Sequence, residues 1–148
     1  MRFAAAASGT APSNGTLQYV KYNPLNPCSN ANPANLDYSQ NLFNGGTQNS
    51  QQHILQNHTP GGKGPSFHAG DWAAIQALNG STLNYGALGP ASTQSPGTYT
   101  LQWSVPQPFD WLGITLYIGN GANGQLTTTN RLVVMNNCST VVTSYPVN

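Results

Sequence analysis

The sharpest pattern in this chain is the alternation of Tyr99, Leu101, Trp103 and Val105 with Thr100, Gln102 and Ser104, launched by Pro96-Gly97. A period of two belongs to a half-buried strand, whose successive side chains point to opposite faces. The run Leu-Gly-Ile-Thr-Leu-Tyr-Ile at 112–118 reads as the next strand. Gly119-Asn120-Gly121-Ala122-Asn123-Gly124 follows, and its two Asn-Gly pairs are a strong hairpin signal. Residues 127–135 and 140–147 supply two further strands, and in the last of them Val141, Thr143, Tyr145 and Val147 alternate on one side. Four strands punctuated by Gly, Pro and Asn predict an all-β fold, a mostly antiparallel sandwich or jelly-roll-like domain.

Upstream the pattern weakens. Residues 1–15 are chiefly Ala, Ser, Gly, Thr and Pro and read as a flexible tail, leaving 16–148 as a single β-rich domain. Leu17 to Tyr22 has strand composition. Residues 23–50 form a long Asn/Pro-rich loop, with Asn-Pro at 23–24, 26–27 and 32–33, a pairing that starts turns and disfavours helix. Gln51 to Leu55 suits a short helix or a short strand, and Pro60 to Pro65 is a breaker. Asp71 reads as the N-cap of a helix over 72–78, with Gly80 just past its end, although a strand competes for the same residues. At most one or two short helices are expected.

Composition changes this picture by what is missing. The chain has no glutamate, three aspartates (Asp37, Asp71, Asp110) and four basic residues (Arg2, Lys21, Lys63, Arg131), so 5% of it is charged. Ordinary domains carry about a quarter. Solubility falls to 18 Asn, 11 Gln, 14 Thr and 12 Ser. With a net charge of +1 and scattered basic residues, no patch exists to neutralise a run of phosphates, which excludes nucleic acid as the expected partner. No apolar run is long enough to cross a membrane as a helix. The small-residue start, Met1 to Ser8, is too short for the apolar region of an export signal. The expectation is a mature exported protein at the cell surface or outside the cell.

Cys28 and Cys138 lie 110 positions apart, with no CxxC pair. An even count in so polar a chain points to one disulfide, against the alternative of two buried free thiols. Four Asn-x-Ser/Thr sequons begin at Asn14, Asn57, Asn79 and Asn137, a number that such a composition also produces by chance.

Candidate chemistry is sparse. His53, His58 and His68 fall within one stretch and could ligate copper or zinc if a loop brought them together, though their spacing matches no ligand signature. Asp110, between Phe109 and Trp111, is the most unusual acid, yet no second carboxylate accompanies it and no nucleophile elbow is present. No cofactor is implied and an enzyme is not the expected reading. Phe109 and Trp111, with Tyr85 nearby in composition, could instead form a stacking platform for a neutral polysaccharide. The leading expectation is a non-enzymatic structural subunit that assembles with copies of itself through strand edges and neutral polar surfaces. Its strands at 99–105 and 112–118 carry none of the charge that usually guards an edge. Val141, Thr143, Tyr145 and Val147 are the candidate assembly residues, because a terminal strand can complete a neighbour's sheet. A carbohydrate-binding module is the alternative, and a copper or zinc enzyme built on the three histidines a further one.

Overall fold

The alternating segments of the C-terminal half become the principal sheet. The computed structural model describes residues 25–106 and 117–148. The expected strand at 17–22, most of that at 112–118, and Phe109, Asp110 and Trp111 lie outside the described residues. Along the chain come β1 (Asn41–Phe43), β2 (Gln48–Asn49), α1 (Ser50–Asn57), β3 (Ser66–Phe67), α2 (Trp72–Tyr85), β4 (Ala87–Leu88), β5 (Thr98–Ser104), β6 (Gly119–Asn120), β7 (Leu126–Thr127), β8 (Thr129–Met135) and β9 (Val141–Val147). They form three antiparallel sheets, β1–β2, β3–β6–β7 and β4–β5–β8–β9. The fold is predominantly β with two short helices.

Register assigns the faces of the large sheet. Leu101, Leu132 and Ser144 form one cross-strand row, and Gln102, Arg131 and Tyr145 form the next, on the opposite face. Leu101, Leu132, Val134 and Val141 are fully buried, and α2 packs against β5 and β8 while α1 lies along β9.

The helix is longer than expected. It runs through Gly80 to Tyr85, with Asp71 accepting from the Ala73 N–H as its N-cap. Gly80 lies inside the helix rather than after it, where a Cβ would stand 3.1 Å from Cβ of Pro33, tighter than ordinary contact. The buried stripe Ile75, Asn79, Thr82 and Leu83 keeps helical spacing but is half polar. Asn79 donates to the Tyr38 hydroxyl and to Ser144 Oγ, while Asn130 on β8 donates to Asn79 Oδ1 and Thr82 Oγ1. These bonds satisfy polar groups that burial would otherwise penalise. They also use both amide hydrogens of Asn79, which is fully buried, so its sequon offers no acceptor for a glycan in the folded protein.

The stretch expected as loop carries β1, β2 and 3-10 turns at Pro33–Asn35 and Asn44–Gly46. Gln51 to Leu55 resolves as helix: α1 opens with a capping box in which Asn49 and Gln52 exchange side-chain and backbone bonds. Cys28 and Cys138 form the expected disulfide, with Cα atoms 5.5 Å apart. The Asn-Gly hairpin is present as β6 and β7.

Candidate functional site

The register of β8 and β9 sets Arg131 beside Tyr145, and that of β5 sets Gln102 on its other side. The guanidinium donates from Nη2 to Gln102 Oε1 at 2.9 Å and from Nη1 to the Tyr145 hydroxyl at 3.4 Å. Its carbon lies 5.7 Å from the Tyr145 ring centre. Nε is buried with no hydrogen-bond partner.

Helix α1 brings two histidines to the same place. His58 is its C-cap: its N–H donates to Ile54 O and its carbonyl accepts from Phe67 N–H, so the residue is fixed along the backbone. Its Nδ1 lies 2.8 Å from Pro65 O. A carbonyl only accepts, so Nδ1 carries the hydrogen and Nε2 keeps the lone pair. The His58 ring is 5.1 Å from both the Tyr145 and the His53 rings, and His53 stacks on Phe43 at 3.8 Å and 2°. Burial holds both imidazoles below the usual histidine range; the neighbouring His58 adds to the effect on His53, and the Pro65 bond partly offsets it for His58. Both are therefore neutral at neutral pH.

Beside this row of rings opens a cleft of about 570 Å3, lined by His58, Pro65, Asn123, Arg131, Tyr145 and Asn148 among others. It combines one cation, two rings and two amides. Neither described aspartate reaches it as a partner of Arg131. Asp37 accepts from Ser39 N–H, Ser39 Oγ and Gln40, bonds that hold its carboxyl below the usual range, and Asp71 caps α2.

No family model, curated protein or solved structure matches this chain. Its chemistry must be read from its own residues.

The sequence-derived candidates fare unevenly. His68 does not join the other two histidines: its Nε2 lies 2.9 Å from Asn120 Oδ1, and no group of three or more His, Cys, Asp or Glu is gathered for a metal among the described residues. Asn57 Nδ2 meets His53 Nδ1 at 3.2 Å, occupying that lone pair as well. Tyr85 lines a separate groove with Pro33, Ala77 and Gly80. Phe109 and Trp111 lie outside the described residues.

The last strand, β9, differs from its expected form. A bulge at Val142 sets Val141 opposite Val134 and Thr143 opposite Val133, so Val141 faces the core and Thr143, Tyr145 and Val147 the other side. The outer edge of β9 is also partly taken. Val141 N–H donates to Asp37 O, its carbonyl accepts from Ser50 Oγ, and the Val147 carbonyl accepts from Thr127 Oγ1. On β5 the Gln94 amide pairs with both backbone groups of Thr100. Side chains here do what neighbouring strands would.

Sequence reasoning missed Arg131, Asn123 and Asn148 as site residues and gave Tyr145 another role. The available signal was Arg131 itself, the one charged residue within a strand among the described residues. The disulfide is compatible with an oxidising, extracellular setting. Among the described residues no helix is long and apolar enough to cross a membrane.

Proposed function

We propose that the protein is a non-enzymatic structural subunit, extracellular or at the cell surface, that packs against copies of itself through strand edges and neutral polar surfaces. The observation that carries this reading is a leucine pair at the β4 edge of the principal sheet. Leu88 donates its backbone N–H to Leu25 O, which sets the two residues side by side, and they are 42% and 65% exposed. A single exposed leucine is ordinary, whereas adjacent ones beside a sheet edge form an apolar contact point. The chain has little charge to oppose close approach of copies there.

Light scattering and negative-stain imaging across concentration and salt test the proposal. Assembly is expected to persist at about 1 M salt, where exposed charge interactions are screened. Leu88→Ser should shift the population towards monomer. A monomer at every concentration and salt condition overturns the reading.

A second reading, a carbohydrate-binding module, draws on the cleft beside Tyr145. Its size falls within the usual range of small-ligand pockets, about 300–1,000 Å3. Rings beside amides suit a sugar, whose apolar face stacks while its hydroxyls hydrogen-bond. Retention on immobilised polysaccharides, compared between the native chain and Tyr145→Ala, tests it; equal retention removes Tyr145 from the site.

A further inference from the structure

The charge of Arg131 has no counterpart in the described structure. The residue is half-buried on the sheet face away from the core, and its hydrogen-bond partners are a neutral amide and a neutral phenol. A guanidinium offers five N–H donors, and these two contacts occupy two of them. Its Nε is buried with no hydrogen-bond partner, and donors withdrawn from water are ordinarily paired because leaving them unmet is costly. The two described aspartates are spent elsewhere, on the turn at Asp37 and the cap at Asp71. An anionic group on a ligand would meet both the charge and the free donors.

We propose that this cleft binds a sugar residue carrying one carboxylate or sulfate group, with Arg131 as the anion contact. The proposal rests on the carbohydrate-binding reading and sharpens it. One cation matches one anionic group per residue bound; a strongly acidic peptide would call for several. The rest of the lining is suited to a hydroxylated ring. Asn123 and Asn148 supply amide groups at the exposed margin, and Tyr145 and His58 supply ring surface. Asn148 donates to Gln125 O and Asn123 accepts from Gln125 N–H, so the β6–β7 turn holds both amides in place without binding a ligand first. Neutral His58 adds no second positive charge, leaving recognition of the anion to Arg131.

The test is calorimetric titration of the full chain with four probes: a glucuronic acid disaccharide, a galactose sulfate, a neutral glucose disaccharide and inorganic sulfate. The acidic sugars are expected to bind, more weakly as salt rises, and the neutral sugar and free sulfate to bind far more weakly or not at all. Arg131→Gln should lower acidic-sugar affinity by about tenfold or more, while Arg131→Lys keeps the charge, loses the planar fork and falls between. Should Arg131→Gln disturb the fold, Asn148→Asp reads the same point from an exposed position. Its new carboxylate should weaken binding of the acidic sugars, by an amount that shrinks as salt rises. Equal binding of neutral and acidic sugars overturns the anion preference while the carbohydrate reading stands. No binding of any sugar overturns both. Inorganic sulfate binding as tightly as the sulfated sugar reduces the cleft to an anion hole and also overturns the proposal.

Discussion

Individual asparagines do in this protein much of what apolar side chains and glycine caps do in others. Asn26 is buried and donates to the Leu83 and Gly86 carbonyls, capping the C-terminus of α2, while its Oδ1 accepts from Cys28 N–H. Asn84 donates to Ser29 O and Ala31 O and so ties the helix to the Asn/Pro-rich stretch. Asn79 donates two side-chain bonds and accepts one. Truncating it to alanine removes its two donated bonds and leaves Asn130 with one amide hydrogen unmet in a dry interior. Each orphaned polar group costs about 1–3 kcal/mol. We expect Asn79→Ala to lose about 2–4 kcal/mol in urea unfolding on that basis, with Asn35→Ala, at an exposed turn, within about 0.5 kcal/mol of the native chain. Equal losses at the two positions would refute the structural role of the buried amides. The Tyr38 phenol that accepts from Asn79 is pushed up to about 12 by burial, so it stays protonated throughout the physiological range.

Among the elements, α1 links the rest of the fold to the candidate site, and it carries the acid sensitivity. His53 and His58 are both held below the ordinary histidine value of about 6.5, so near that pH the unfolded chain binds more protons than the folded one. Their contribution to stability is full above about pH 6.5 and falls as pH drops through the folded-state values. Asp37, also lowered, loses its contribution only in the more acidic carboxylate range, below its ordinary value of 3.8. The urea midpoint should therefore fall between neutral and mildly acid pH, and a His53→Gln/His58→Gln double variant should flatten that first step. An unchanged slope in the variant would assign the step elsewhere. The same scale shows what the sequence could reveal. Strands β5, β8 and β9 were legible because alternation writes a half-buried strand directly into the residue order, and the Asn-Gly hairpin and the Asp71 cap are equally local signals. The far half of α2 was not legible: Asn79-Gly80-Ser81-Thr82 is turn chemistry, and it becomes helix because Tyr38, Ser144 and Asn130 complete its hydrogen bonds from distant parts of the chain. Nor was the Val142 bulge, which turns the apparent one-sided stripe of β9 around at Thr143. The cleft brings α1, β8, β9 and the β6–β7 turn together, and no local pattern announces that meeting.

At the scale of the whole molecule, the Cys28–Cys138 bridge joins the Asn/Pro-rich segment to the turn between β8 and β9. That junction is already tied in the native state, by Asp37 N–H to Ser139 O and Val141 N–H to Asp37 O. The bridge is thus redundant for holding native geometry, and its main effect falls on the unfolded chain, where it closes a loop spanning 110 positions. The chain-entropy model assigns a loop of that length about 4–5 kcal/mol. A Cys28→Ala/Cys138→Ala variant should accordingly keep the native chemical shifts away from the bridge while losing a large part of its stability. The denaturant slope separates the two ways in which this loss could arise. If the bridge acts by restricting the unfolded ensemble, the variant unfolds to a more expanded state, exposes more surface, and the slope rises as the midpoint falls. If the bridge instead holds native packing together, chemical shifts around Tyr38 and Val141 move and the slope stays constant or falls. The native hydrogen bonds spanning this junction favour the first outcome, a steeper transition at lower urea with the amide-laced core unchanged.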